Sequence, residues 1–169
     1  FMPVFGLNNG MVPIIAYNYG AGHKDRVIKT IKHSVAYGVG IMFVGLLAMH
    51  IFPAQLMRMF DAEESLIAIG APALETISLS FVFAGFCIVA GSVFQALGNG
   101  VYSMIVSVAR QMCVLLPVAK LLSLSGEVTL IWWAFPIAEL ASVLLTSYFL
   151  VRIYRKVICH IGEPVVQDA

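Results

Sequence analysis

Residues 35–52 read VAYGVGIMFVGLLAMHIF, and residues 77–98 read ISLSFVFAGFCIVAGSVFQALG; neither contains a Lys, Arg, Asp or Glu. A helix needs about 20 apolar residues to cross a hydrocarbon core about 30 Å thick, and both stretches have that length. The rest of the chain agrees, since 60% of its 169 residues are hydrophobic and 11% are charged, against about 45–50% and about 25% in soluble domains. This composition excludes an ordinary water-soluble fold and makes the lipid bilayer the chain's solvent.

Apolar windows and breakers divide the sequence into five expected helices: Phe1 to about Tyr19, about Ile31 to Phe52, Leu66 to about Leu97, Val101 to about Leu122, and Leu130 to about Val151. The fold class expected is therefore all-α and integral to the membrane. Periodicity is weak because lipid-facing and protein-facing sides are both apolar. In the third helix, Pro72, Gly85 and Gly91 mark places for a tilt or kink.

Net charge is +1 with no dense basic run, so a nucleic-acid partner is excluded. Cys87, Cys113 and Cys159 form no CxxC pair and no Cys/His cluster at metal-ligand spacing, which leaves them as small hydrophobes and predicts no metal site. His23, His33, His50 and His160 fall at or near segment ends, as interfacial residues do.

Short cytoplasmic loops hold an excess of Lys and Arg. Lys24, Arg26, Lys29 and Lys32 follow the first helix, and Arg152, Arg155 and Lys156 follow the fifth, which places both regions and the C-terminus in the cytoplasm. Arg58 with Asp61, Glu63 and Glu64, and later Glu127, fall outside. Phe1 then starts a span on the outer side without a charged leader. The expectation is a C-terminal piece of a larger polytopic protein: a partial transmembrane lobe over residues 1–157, its first helix truncated, and a cytoplasmic tail over 158–169.

The first helix carries GLNNGMVPIIAYNYGAGHKDR over residues 6–26. Asn8, Asn9 and Pro13 are costly against lipid, where unsatisfied amides find no water. They are expected to face other helices or a wet cavity, and both readings, interhelical glue and pathway lining, stay open. Tyr17 and Tyr19 fit an interfacial belt, and Gly20 and Gly22 a helix stop.

The stretch from Gly6 to Val27, FVFAGFCIVAGSVFQALGNGVYS from Phe81, the Arg110–Gln111 pair followed by Pro117, and WWAFPIAE from Trp132 together resemble the bacterial multidrug and toxic compound extrusion family. The resemblance covers residues 1–157 and is to helices eight to twelve of twelve. It implies a two-lobed antiporter of the bacterial inner membrane that exports small organic, often cationic, compounds in exchange for protons or sodium ions. It also implies a missing N-terminal lobe as partner and no enzymatic cofactor. It carries over no coupling residue: in one branch the second-lobe acids lie in helix seven and at a place in helix ten that aligns near Phe86, and in another the acid lies in the first helix.

Glu75, Arg110 and Glu139 lie nine residues from the expected starts of their helices, about 14 Å deep at about 1.5 Å per residue. Charges at that depth normally face the bundle interior and find partners. Arg110 is expected to pair with an acid, Glu139 being on the next helix. Two acids then share one base, and the spare carboxylate is a coupling-ion candidate, because burial raises its proton affinity and an approaching cation lowers it. Glu75 is favoured for that role, with Glu139 as the other candidate.

A small, polar stripe of Glu75, Ser78, Val82, Gly85, Ser92, Gln95 and Asn99 is expected to line a cavity or to serve close packing. Ser103, Ser107 and Arg110, beside Gln111, make a second stripe. Trp132 and Trp133 are expected to anchor an interface, and the methionines to pack. Two other functions have requirements of their own. A lipid-linked precursor flippase requires a large cationic cavity, and only Arg110 is deep and cationic. An integral-membrane enzyme requires convergent His, Asp or Cys residues at one membrane face, which the sequence lacks.

Overall fold

The computed structural model of the protein describes residues 1–61 and 63–162; of the tail expected over 158–169, residues 163–169 lie outside the described part. Helix α1 spans Met2–Gly20 and α2 spans Lys24–Ile51. A short α3, Pro53–Arg58, leads to α4, Glu64–Ser78, and α5, Phe81–Ala96. Helix α6, Gly100–Val108, runs through a π-helical segment, Ala109–Leu115, into α7, Leu116–Ser123. A single turn, α8 (Val128–Ile131), precedes α9, Ala134–Lys156, and a 3-10 turn, Ile158–His160, follows it.

Among the described residues, three helical stretches are long and apolar enough to cross a membrane: Lys24–Ile51, Gly100–Ser123 and Val128–His160. The bent pair α4–α5 adds a fourth. The first helix has the length expected, but Asn8, Asn9, Asn18 and two prolines keep its composition below the same apolar standard. Large side chains such as Val44, Leu121 and Leu144 stand exposed on the outer faces, as they do in proteins whose surroundings are acyl chains.

Several expected boundaries shift. Helix α2 begins at Lys24, so Lys24, Arg26, Lys29 and Lys32 are helical rather than loop residues. At about 1.5 Å per residue, a helix of 28 residues outreaches a core about 30 Å thick, which gives its basic end the length to reach the headgroup zone. The third span is broken at Leu79 and Ser80, with a bend of 50° between its halves, and not at Pro72, Gly85 or Gly91. Ser78 Oγ donates to Glu75 O at 2.9 Å and Ser80 Oγ to Ile77 O at 2.6 Å. These hydroxyls occupy carbonyls of the last α4 turn and compete with helix continuation.

Helix α5 is the central element, packed against α1, α2, α6 and α9. Val4, Met11 and Ile15 of α1, Met42 of α2, Val89, Val93 and Phe94 of α5, and Phe149 and Ile153 of α9 share one apolar core. At the basic end, α1 stops in a turn where Gly22, at φ +74°, adopts a left-handed conformation and His23 N–H reaches back to Asn18 O at 2.9 Å. Lys24 Nζ then donates to Cys159 O at 2.8 Å, tying the start of α2 to the C-terminal 3-10 turn. Gly22→Ala is expected to lower stability by about 1 kcal/mol, because L-residues are strained at that φ; the thermal midpoint of the detergent-solubilised protein measures it.

Candidate functional site

A cavity of about 520 Å³ opens between α1, α5, α6, the π-helical segment and α9. Its lining is mixed: Phe1 and Phe5 of α1, Ala84, Ile88 and Phe94 of α5, and Val106 of α6 are apolar and partly aromatic. Ser92 and Gln95 of α5, Ser103 and Ser107 of α6, Arg110 of the π segment, and Glu139, Ser142 and Thr146 of α9 are polar.

Arg110 reaches the cavity because of a local irregularity. Pro117 has no N–H to bond the Cys113 carbonyl and its ring needs room there. The preceding residues widen into a π turn, in which Leu116 N–H bonds Gln111 O. Such π segments change the direction of side chains and recur at functional sites. Helix α9 packs against this segment, and Glu139 lies on its buried face together with Ala138, Ser142 and Thr146.

Arg110 Nη1 donates to Glu139 Oε1 at 2.5 Å. The two ends of this pair differ in exposure, the glutamate being 6% exposed and the arginine side chain 41%. Glu139 Oε2 and Ser142 Oγ are buried without a hydrogen-bond partner among the described residues. An unsatisfied buried polar atom costs about 1–3 kcal/mol, so two uncompensated polar atoms accompany this ion pair. Elsewhere in the lining, Gln95 Nε2 donates to Ser103 Oγ at 3.1 Å and Thr146 Oγ1 to Cys87 Sγ at 3.7 Å.

The sequence-derived residues divide clearly. Arg110, Glu139, Gln95 and Ser107 border the cavity. Glu75 does not; it sits half-buried in the last turn of α4, with no side-chain hydrogen bond or ion pair among the described residues. The three deep ionisable groups therefore do not gather at one place, because the break after Ser78 turns α4 away from the axis of α5.

The long polar stripe does not hold together either: the break separates Glu75 and Ser78 from the rest. Ser92 and Gln95 line the cavity, but Gly85 packs against α2, Ser78 bonds the α4 backbone, and Asn99 Nδ2 bonds Leu97 O at 3.0 Å. On α1, Asn8 is buried with neither amide atom bonded among the described residues, whereas Asn9 is exposed. Successive helical residues point about 100° apart, so the two asparagines do not share surroundings. Gln111 is exposed and outside the cavity.

Ser142, Thr146 and Cys87 were not singled out from sequence. Their signal was available: Ser142 and Thr146 follow Glu139 by three and seven residues, and Cys87 precedes Gly91 and Gln95 by four and eight, which places each set on one helical face.

Comparison with known proteins places this architecture. A family model described as MatE matches residues 1–121. The multidrug export protein MepA of Staphylococcus haemolyticus (strain JCSC1435) is 24% identical over 153 residues, 90% of this chain and 33% of MepA. MepA of Staphylococcus aureus (strain bovine RF122 / ET3-1) is 26% identical over 137 residues, 80% and 30% of the two chains. The solved structure of the MATE multidrug transporter DinF-BH in complex with R6G superposes with a TM-score of 0.81 at 32% identity, over 93% of this chain and 35% of that one. A second structure, the inward-facing conformation of a multidrug resistance MATE family transporter of the MOP superfamily, shares the fold at 16% identity with a TM-score of 0.82, over 91% of this chain and 36% of that one. The chain spans about a third of the length of the curated relatives it matches.

Proposed function

This chain belongs to the MatE family, and on that premise we propose that it serves as part of a secondary active antiporter exporting small organic, often cationic, compounds in exchange for protons or sodium ions. In this reading it is the C-terminal part of a two-lobed transporter of the bacterial inner membrane, its C-terminus in the cytoplasm and an N-terminal lobe as partner. Transport proceeds by alternating access of the two lobes.

The observation that carries the reading is the Arg110–Glu139 pair in the lining of a cavity that also holds aromatic side chains. The volume lies in the range of small-molecule sites, about 300–1,000 Å³. The apolar lining residues suit the body of an amphipathic compound, and the polar ones suit its hydrogen-bonding or charged end. Glu139 is the coupling candidate that this cavity favours, since its second oxygen has no other bond among the described residues. Glu75 remains the second candidate, as an acid without an ion-pair partner there.

Vesicles containing the complete transporter, with a proton or a sodium gradient imposed separately, test this assignment. Glu139→Gln is expected to abolish gradient-driven exchange while Glu75→Gln is expected to reduce it less. Normal exchange by both variants under each gradient would remove both acids from coupling.

A further inference from the structure

Glu139 Oε2 and Ser142 Oγ are both buried, both unbonded among the described residues, and carried by residues three apart on α9 that border the same cavity. Side chains at that spacing are neighbours, with Cβ atoms about 5–6 Å apart. An ionised carboxyl only accepts hydrogen bonds, whereas a protonated one also donates; a serine hydroxyl can accept. While Glu139 is ionised, the charge of Arg110 holds Oε1 and fixes the carboxylate plane, with Oε2 out of bonding reach of Ser142. A proton on Oε2 removes that attraction and creates a donor whose nearest vacant acceptor on its own helix face is Ser142.

We propose that Ser142 is a positioning residue that accepts the hydrogen bond of protonated Glu139. One proton from a hydronium ion, which is left as water, binds Oε2, exchanges the Arg110–Glu139 pair for a Glu139–Ser142 bond and leaves Arg110 as an uncompensated cation in the cavity. No other covalent bond is made or broken. The cavity charge rises from neutral to positive, so a bound organic cation is repelled when the proton arrives, and compounds offering a carbonyl or carboxylate to Arg110 are retained. This inference rests on the cavity assigned above as the transport site.

The groups that bear on Glu139 are few. Arg110 of the π segment and Cys87 of α5 share the cavity with it. Glu75 on α4, Tyr102 on α6, Lys120 on α7, and Cys159 and His160 on the 3-10 turn belong to elements packed against α9 but do not border the cavity.

Binding of tetraphenylphosphonium to the complete transporter in lipid nanodiscs, followed across pH, tests the exchange without requiring transport. The cation is expected to bind at alkaline pH and to leave on acidification, with a midpoint set by Glu139. Ser142 stabilises the protonated form, so Ser142→Ala moves the midpoint to lower pH, by about 0.4–1 pH unit for one hydrogen bond. Ser142→Thr keeps it near the unmodified value, and Glu139→Gln removes the pH dependence. Infrared difference spectra give a second readout: the protonated carboxyl band disappears in Glu139→Gln and moves to higher frequency in Ser142→Ala. An unmoved midpoint in Ser142→Ala, an equal shift in Ser142→Thr, or binding independent of pH overturns the proposal. A Ser142-dependent midpoint in a protein that exchanges nothing across vesicles overturns only the antiport function.

Discussion

Arg110→Ala is expected to destabilise the protein by about 3 kcal/mol and to abolish transport. Removing one partner of a buried pair leaves the other charge uncompensated, at a cost of about 3–5 kcal/mol. The lower end applies because the arginine is 41% exposed, although the glutamate it serves is nearly sealed. Both oxygens of Glu139 then lack partners among the described residues, which leaves a buried, unbonded carboxyl. On the function proposed above, the variant thus loses the ion pair at the cavity as well as stability. Arg110→Leu combined with Glu139→Leu is expected to recover most of the stability, since apolar replacements of a buried pair are often neutral, but to recover no transport. Thermal midpoints of Arg110→Leu, Glu139→Leu and the double variant form a cycle that isolates the pair. Additive losses would mean that the contact contributes nothing of its own.

Gly85→Leu is expected to have a comparable effect on assembly. A Cβ at Gly85 meets Met42 Cγ at 2.8 Å and Gly38 O at 3.1 Å, and one at Gly38 meets Val89 Cγ2 at 2.6 Å. The backbones of α2 and α5 therefore touch at this crossing, and the central helix is seated through it. Helices in lipid associate through close van der Waals packing, for which small residues at the crossing are required. A leucine there forces the pair apart and costs about 3 kcal/mol, the upper end for overpacking a formed core. Gly40→Leu is the control, because nothing lies within 4 Å of a Cβ at that position. Loss of the monodisperse species by size-exclusion chromatography in Gly85→Leu but not in Gly40→Leu is the outcome expected; equal behaviour of the two would remove the crossing as the cause.

The α2 boundary shows how local reading works and where it stops. The uncharged run from Val35 to Phe52 was legible because hydrocarbon excludes charge, but the helix extends back to Lys24 because a backbone at the interface still satisfies itself best by helical bonding. The break at Leu79–Ser80 was not legible. Pro72 is the stronger breaker on paper, yet what ends α4 is the capture of its own carbonyls by Ser78 and Ser80, a choice among rotamers. Half of the candidate site was visible as depth in the sequence, in Arg110 and Glu139. Glu75 was equally deep by counting and does not border the same cavity, because counting along a chain measures depth and not direction.

Composition and charge placement alone determined that this chain is a set of apolar helices with its basic ends on one side, since transfer of charge into hydrocarbon is costly wherever the helices sit. Only the tertiary structure decided which polar groups meet. The widened turn before Pro117 aims Arg110 at α9, the bend after Ser78 takes Glu75 out of the group, and the packing of α9 against α5 and the π segment leaves Glu139 Oε2 and Ser142 Oγ without partners among the described residues. Lipid exclusion acts on each residue separately and is written in the sequence; the pairing of side chains depends on the relative rotation of helices, which arises only when their surfaces pack.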